Sequence, residues 1–514
     1  MSGTQAECVQ RVQSLLPADG KVFWVTGAAK KAHTLLGQEC TALVFDAHSG
    51  FDVNAFAAVS GTLCGGGILF LLTPPLDDWA TFPDPDYRRF LPYPHQPEAV
   101  VGRFLRRLVG MLEEREGVCN TPLPTTVGAY CIRPLHDQIN AIQSILQVPL
   151  PVVLTADRGR GKSAALGMAA SQLFAAGKRV LLTAPSRATV ESVFKHAENP
   201  PLFFAPDDLL QTLPQGDVLL VDEAAAIPVP LLLKMLEHYP RCVFSTTLHG
   251  YEGSGRGFAL RFQKVLDMQA PGWQAVRLHQ PIRWGEHDPL ENFINQALLL
   301  DVGGDEEEGV CNTPLHSVYR QLDRDELAAN EALLRQVFGL LVTAHYQTRP
   351  SDLRQMLDAP DISIHVLEQD GKMLAVALLS REGGLDTELT AAIHAGVRRP
   401  HGHLIPQTLT FHAHMAGAAE LLCERVMRIA VCPPLQHQGL GAQLLLHLLA
   451  FAERSGVDYM GVSYAMTPNL LRFWERAGFV LARVGFRKDA ASGSHSVVQV
   501  KALSAAARLL FKGL

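Results

Sequence analysis

The sequence contains no apolar run of the roughly 18–20 residues that a membrane-spanning helix needs, so no membrane partner is expected. Its first residues, MSGTQAECVQRVQSLLPADG, lack the charged-then-apolar pattern of an export signal, and a cytoplasmic location is expected. Nine cysteines are scattered without a C-x-x-C pair, which reads as reduced thiols rather than disulfides or a zinc site. Aromatic residues make up only 7%, which disfavours an extended platform for stacking bases. A formal net charge of −6 excludes a surface coated in basic residues but leaves room for a local basic groove.

What is present is ordinary globular composition, 47% hydrophobic and 19% charged, over 514 residues. That length holds roughly two to four domains. Residues 1–110 read as a small N-terminal α/β domain, from the short apolar runs KVFWVTG, TALVFDAH and GGGILFLLTPP. The Pro- and Asp-rich stretch TPPLDDWATFPDPDYRRFLPYPHQP then reads as a long loop. Residues 130–285 read as a doubly wound α/β domain with strands PVVLTA, RVLLTAP, DVLLVDE and CVFSTTL. Residues 286–345 form a helical connector with the acidic loop DVGGDEEEG. A third unit, 346–490, carries a hairpin signal at Asp370-Gly371 between ISIHVLEQ and KMLAVALLS. Residues 491–514 are expected to be a short basic tail. Across the C-terminal region Arg483, Arg487, Lys488, Lys501, Arg508 and Lys512 face only Asp489, which suits either a solvated tail or contacts to phosphates. The heptapeptide GVCNTPL occurs at 117–123 and again at 309–315, too short to define a structural repeat.

The stretch TADRGRGKSAALG has the end of a phosphate-binding loop, G-x-x-x-x-G-K-[ST], but Ala156 stands where the first glycine belongs. The setting is right: an apolar strand precedes it and an alanine-rich helix ending at Gly177 follows. Gly159 and Gly161 let backbone N–H groups of Arg160 through Ala164 turn onto an anion. Lys162 would reach the outer phosphates and Ser163 would hold Mg²⁺. A second element, DVLLVDEAAAIP, places Asp222 and Glu223 at the carboxyl end of a buried strand, where open α/β sheets bind ligands. Asp222 would position Mg²⁺, and Glu223 would orient or deprotonate the attacking water. Arg256, in the glycine-rich STTLHGYEGSGRGF, and Arg283, in PIRWGEHDPLE, are candidates for the γ-phosphate, and Gln138 for the adenine; each is equally readable as a surface or packing residue.

A second site lies in RIAVCPPLQHQGLG, whose core is Gln436-x-x-Gly439-x-Gly441. A strand opens there into an amphipathic helix with Leu440, Leu444, Leu448 and Phe451 on one stripe, a suitable pyrophosphate cradle. The spacing differs from G-x-G-x-x-G, and no acidic residue waits for a ribose. It resembles the acetyl-CoA signature of the GNAT acetyltransferases, and the order that follows agrees: the strand VDYMGVSYA, then the helix TPNLLRFWERAGF with Thr467 as its cap.

A nucleotide-triphosphatase domain and an acetyl-CoA domain in one chain are a rare pairing. Through TADRGRGKSA, LLVDEAAAIP, TTLHGYEGSGRGF, PIRWGEHDPLE, AHYQTRPSDLRQMLDAP, RIAVCPPLQHQGLG and NLLRFWERAGF the sequence resembles the tRNA(Met) cytidine acetyltransferases, of the RNA cytidine acetyltransferase family. The resemblance implies a multidomain α/β protein: a small N-terminal α/β domain, a RecA-like doubly wound ATPase domain and a GNAT-like α+β domain. It implies acetylation of the N4 amine of cytidine in tRNA, at the wobble base of elongator methionine tRNA, with acetyl-CoA and ATP-Mg²⁺ and no DNA. GTP stays open as an alternative nucleotide. It places the nucleotide site at Gln138, Gly159 to Ser163 and Arg283. The acetyl-CoA site falls at Ile429, Ala430, Val431, Gln436, His437, Gln438, Gly439, Leu440, Gly441, Asn469 and Arg476, with an acidic residue expected at 469 where this chain has Asn. His345 matches a histidine that the family needs and is the candidate general base; a hydrogen-bonded histidine at a helix end is the other reading. The resemblance also implies a longer C-terminal region for tRNA, for which the basic tail is expected to substitute unless the RNA is held otherwise. From the residues alone, two rival functions stay open: an RNA-remodelling ATPase with an accessory domain, and a protein or small-molecule acetyltransferase.

Overall fold

The computed structural model describes all residues except 27–31, 33, 36–37, 115–135, 249–254, 303–315, 345–347 and 489–493, and the side chains of a few more. Both copies of GVCNTPL, and His345, lie outside the described residues. The chain divides into two compact units, Met1–Leu76 with Met111–Asp301 and Tyr346–Pro350, and Asp77–Gly110 with Val302–His345 and Ser351–Leu514. Among the described residues no helix is long and apolar enough to cross a membrane.

The first unit holds two parallel sheets. Strands β1 (Val22–Thr26), β2 (Cys40–Asp46) and β3 (Leu63–Leu72) lie side by side in sequence order, with the helix α1 (Val53–Ser60) between β2 and β3. The second sheet contains β4 (Val152–Ala156), β5 (Val180–Thr183), β6 (Leu202–Phe204), β7 (Val218–Val221), β8 (Cys242–Thr247) and β9 (Gln274–Leu278), ordered β6-β5-β7-β8-β4-β9. All its pairings are parallel. The interior strands β4, β5, β7 and β8 are buried on both faces, as a parallel sheet covered by helices requires, while the edge strands β6 and β9 are partly exposed. Val152, Leu154, Val218 and Leu220 join one core, with the helices α2 (His136–Gln147) and α3 (Lys162–Ala175); Val153, Leu219 and Val221 join the other.

The second unit is one seven-stranded sheet, β10 (Val318–Leu322), β11 (Ile362–Gln369), β12 (Lys372–Gly383), β13 (Leu422–Val431), β14 (Tyr459–Ala465), β15 (Val480–Lys488) and β16 (His495–Ala502). The order is β10-β11-β12-β13-β14-β16-β15, and only β13 and β14 run parallel. Asp370 and Gly371 both take positive φ, 51° and 76°, the two-residue turn that joins β11 to β12. Helix α4 (Leu440–Arg454) packs on one face through Leu444, Leu445 and Leu448; Ile405, Leu409, Ala507 and Phe511 cover the other.

Three boundaries differ from the sequence expectation. The stretch 77–110 belongs with the second unit and not with the N-terminal sheet, because Arg354 is buried against it: Nη2 lies 2.7 Å from Asp84, Nη1 3.2 Å from Asp86, and the guanidinium 4.5 Å from the Tyr87 ring. The expected connector 286–345 is not one element. Its helix Pro289–Leu298 belongs to the first unit, while β10 is the edge strand of the second sheet, paired with β11. The expected basic tail is folded from His495 on. Val497, Val498, Gln499 and Val500 are buried in succession, as in a strand covered on both faces; β16 pairs with β14 and β15, and Lys501 donates to the Ala477 carbonyl at 2.7 Å.

Removing Arg354 would leave Asp84 and Asp358 buried without their cation. Arg354→Ala is expected to destabilise the protein by about 3–5 kcal/mol in urea unfolding. An unchanged midpoint and slope would contradict this account of why 77–110 joins the second unit.

Candidate functional site

The phosphate-type loop starts at the end of β4. Ala156 is the last residue of that strand, fully buried and paired with Thr247 and Leu278. An extended residue has no need of glycine's freedom, which accounts for alanine at the first glycine position. Gly159 and Gly161 do need it, at φ 76° and 80°. Both also need the missing Cβ, which would stand 2.8 Å from Trp284 at Gly159 and 2.1 Å from the Gln138 amide at Gly161. Gly161 is the N-cap of α3 and supplies no side-chain cap, so the first amides of that helix, from Lys162, Ser163 and Ala164 on, are left for an anion.

Strand β8 lies between β4 and β7, and it brings three strand ends together. Lys162 Nζ donates to Thr247 Oγ1 at 2.8 Å and stands 3.9 Å from Glu223 Oε1. Thr247 Oγ1 donates to the same Glu223 oxygen at 3.2 Å. Ser163 Oγ donates to Asp222 Oδ2 at 2.9 Å. Asp222 is fully buried, and Glu223 sits at φ 47°, a strained conformation for a non-glycine residue. Burial pushes the Asp222 carboxyl up to about 6, the neighbouring Glu223 adds to the rise, and Lys162 and Ser163 oppose it. Two hard oxygen donors already in contact, Ser163 and Asp222, fit Mg²⁺.

The other residues of this region have different partners. Gln138 donates to the Gly161 carbonyl at 3.2 Å and so holds the loop itself. Arg160 forms a two-pronged pair with Glu291, at 2.6 and 3.1 Å, which leaves its backbone rather than its guanidinium to face an anion. Arg283 donates to the Gly61 carbonyl at 2.7 Å, and Arg158 to the Ala57 carbonyl at 2.8 Å, both at the C-terminal end of α1. In this conformation the guanidiniums of Arg158 and Arg283 are bound to the N-terminal sheet's helix. Arg256 falls in the helix Gly255–Gln269, and its side chain lies outside the described residues. Sequence reasoning missed Thr247. Its signal was a hydroxyl at the carboxyl end of β8, where ligands of open α/β sheets bind.

In the second unit β13 and β14 pair only from Cys423–Tyr459 to Val426–Val462. Beyond that point β13 continues on β12, with Ile429, Ala430 and Val431 opposite Ala377, Val376 and Ala375, while β14 continues on β16. The two strands part, and a bulge at Met427, between Arg428 and Val426, accompanies the parting. The β14-facing edge of Ile429–Val431 therefore has no strand partner among the described residues. The Gln436 amide donates to the Val431 carbonyl at 3.2 Å, and the Gln438 amide to the Pro434 carbonyl at 3.3 Å, folding the loop back onto the strand end. His437 and Gly439 take positive φ, 64° and 88°. Gly439 is the uncapped N-cap of α4, and a Cβ there would project into open space. Leu440 anchors the helix in the core, and Gly441 lies against Val431 and Phe473. The helix α5 (Pro468–Arg476) starts from the Thr467 cap; Asn469 accepts from Arg472 at 2.8 Å, and Arg476 is exposed in the last turn.

Three family models match the chain. The family described as tRNA(Met) cytidine acetyltransferase TmcA, N-terminal, matches residues 14–121. The RNA cytidine acetyltransferase NAT10/TcmA helicase domain matches 153–200 and 201–301, and GNAT acetyltransferase 2 matches 336–456 and 443–504. A tRNA(Met) cytidine acetyltransferase TmcA of Nitrosococcus halophilus is 43% identical, over 100% of this chain and 76% of the relative. One of Salmonella typhimurium is 37% identical over 99% and 77%, and one of Haemophilus influenzae 35% over 96% and 82%.

The raised Asp222 pKa has a consequence for the ligand-free protein. A carboxyl whose folded value exceeds its unfolded one contributes stability below about pH 4, which is lost as pH rises through about 6. Asp222→Asn is expected to be more stable than the parent at pH 7.5, by about 1–2 kcal/mol, and equal to it near pH 4. Thermal unfolding across that range checks this; a gain independent of pH would contradict it.

Proposed function

The chain belongs to the tRNA(Met) cytidine acetyltransferases of the RNA cytidine acetyltransferase family, and from that premise we propose that it acetylates the N4 amine of cytidine in tRNA. The expected target is the wobble cytidine of elongator methionine tRNA, with acetyl-CoA as donor and ATP-Mg²⁺ hydrolysed in the same cycle. The observation that carries the reading is that one chain builds two uncapped helix N-termini behind glycines, one beside the buried Asp222 and Lys162 with Ser163 and one beside parted strands.

Acetyl-CoA supplies the acetyl group as an activated thioester. The cytosine N4 amine is a weak nucleophile, since its lone pair is delocalised into the ring, so position and proton removal decide the rate. The unpaired edge of Ile429, Ala430 and Val431 offers N–H groups to polarise the carbonyl oxygen. The amides after Gly439, including those of Leu440 and Gly441, would hold a pyrophosphate, with His437, Gln438 and Arg476 at its rim. As the new N–C bond forms, the C–S bond breaks and the amine proton passes to a base, for which His345 is the candidate.

The thioester needs no further activation, so the nucleotide has a mechanical role. An anticodon base must leave its stack before it enters a pocket, at a cost of roughly a few kcal/mol. Lys162 and the first amides of α3 would bind the outer phosphates. Ser163 and Asp222 would hold Mg²⁺, which supplies charge neutralisation on those phosphates. Glu223, released from Thr247 and Lys162, would orient the attacking water. Arg283 would have to leave the Gly61 carbonyl to reach a phosphate, which ties nucleotide binding to the N-terminal sheet.

Lys162→Ala is expected to lower acetylation of folded tRNA by at least tenfold, and to leave acetylation of a short single-stranded oligonucleotide bearing the same cytidine within about twofold. Mass spectrometry of the product nucleosides reads both. Equal loss on the two substrates would contradict the mechanical role.

A further inference from the structure

Helix α1 of the N-terminal sheet ends without a cation of its own. Its last turn holds no basic residue, although a helix carboxyl end carries partial negative charge. Two arginines from distant parts of the chain supply that charge. Arg158 Nη1 reaches the Ala57 carbonyl at 2.8 Å across 101 residues, and Arg283 Nη1 reaches the Gly61 carbonyl at 2.7 Å across 222. The backbone joins them too, since the Gly65 N–H donates to the Arg283 carbonyl at 2.8 Å.

Gly61 shows that the contact is built in. Its φ is −80°, which any residue adopts, so the backbone there does not require glycine. The guanidinium of Arg158 does require it: a Cβ at 61 would stand 2.6 Å from Cζ and Nε. The contact is also one that can be given up. Ala57 accepts from Ser60 Oγ at 3.0 Å as well, so its carbonyl keeps a partner when Arg158 leaves.

Both arginines belong to the nucleotide side. Arg158 lies in the phosphate loop, one residue before Gly159, and Ile282 N–H donates to the Gly159 carbonyl at 2.9 Å, which sets Arg283 beside the same loop. Arg160, two residues further on, is held by the full carboxylate of Glu291. What Arg158 and Arg283 meet at α1 is weaker. It consists of carbonyl dipoles and, for Arg283, the half-exposed Glu39 at 3.7 Å from Nε. A phosphate offers a guanidinium formal charge and two oxygens at once, a bond roughly twice as strong as one to a neutral acceptor.

We propose that the carboxyl end of α1 is a nucleotide-controlled latch. In the ligand-free protein it occupies Arg158 and Arg283. A bound nucleoside triphosphate takes both guanidiniums for its outer phosphates and releases the carboxyl end of α1 and the start of β3. The N-terminal sheet is then the element that reports the state of the nucleotide site. This rests on the reading of the loop as a triphosphate site. Because the coupling is reciprocal, whatever weakens the latch must tighten nucleotide binding by the same factor.

The test uses the full chain and a triphosphate analogue that is not hydrolysed, with Mg²⁺. Amide hydrogen exchange, read by mass spectrometry on peptides spanning Gly61 to Gly65, is expected to speed up at least about threefold when the analogue binds, whereas a ligand that merely rigidified the unit would slow it. Gly61→Ala, outside the nucleotide site, crowds out the Arg158 guanidinium. It is expected to bind the analogue at least about threefold more tightly in calorimetry, because the competent state no longer has to be freed. Exchange that stays the same or slows in the parent would overturn the proposal. So would a folded Gly61→Ala that binds the analogue no more tightly than the parent; if that variant does not fold, the exchange in the parent decides alone. A parent that binds no triphosphate would overturn the nucleotide reading together with the latch.

Discussion

A helix that begins on a glycine in the left-handed region has no side chain to cap its first amides. Gly161 and Gly439 both begin helices in this way, on two unrelated sheets. Each leaves N–H groups that the protein itself does not bond through a cap, and each follows a strand whose residues are packed in a core. The strand fixes where the amides stand, and the glycine fixes which way they face. An anion at such a place gains aligned donors and a helix dipole that are already oriented. In the first unit the requirement extends further, because Gly159 and Gly161 must also make room for Trp284 and Gln138. The loop is thus held by packing from outside as well as by its own turn.

Charge is then added to one cradle and withheld from the other. Around Gly161 the buried Asp222 lies against Ser163, and Lys162 is shared between Thr247 and Glu223. That cluster is costly without a ligand, which is why the Asp222 carboxyl is pushed up to about 6. A multiply charged ligand with its cation would relieve the cost. Around Gly439 the first turn is neutral, and the neighbouring device is a gap in a sheet, where β13 leaves β14 after Val426. The first arrangement suits a ligand whose charge changes during the cycle. The second suits one held by backbone amides along its length.

Much of this was legible in the sequence, and for stated reasons. The runs PVVLTA, RVLLTAP, DVLLVDE and CVFSTTL located β4, β5, β7 and β8, because interior strands of a parallel sheet are buried on both faces. The glycines and Lys162, Ser163, Asp222 and Glu223 were legible because phosphate chemistry restricts residue type and spacing. What escaped was tertiary. No local pattern says that β8 inserts between β4 and β7, so Thr247 was missed. Nor does any pattern say that Arg158 and Arg283 bond carbonyls at the end of α1, far away in sequence. The stretch 77–110 was placed by chain order, whereas a buried arginine at 354 decides where it packs. The basic residues after 480 read as a tail, although Val497, Val498 and Val500 form the apolar run of a strand buried on both faces.

The central claim is that the two cradles serve one reaction on RNA. The most direct measurement is mass spectrometry of nucleosides from total tRNA incubated with the protein, acetyl-CoA and ATP-Mg²⁺. The account predicts a new N4-acetylcytidine peak that disappears when the nucleotide is left out. Hydrolysis of ATP with no acetylated nucleoside, or a peak of the same size without nucleotide, would contradict it.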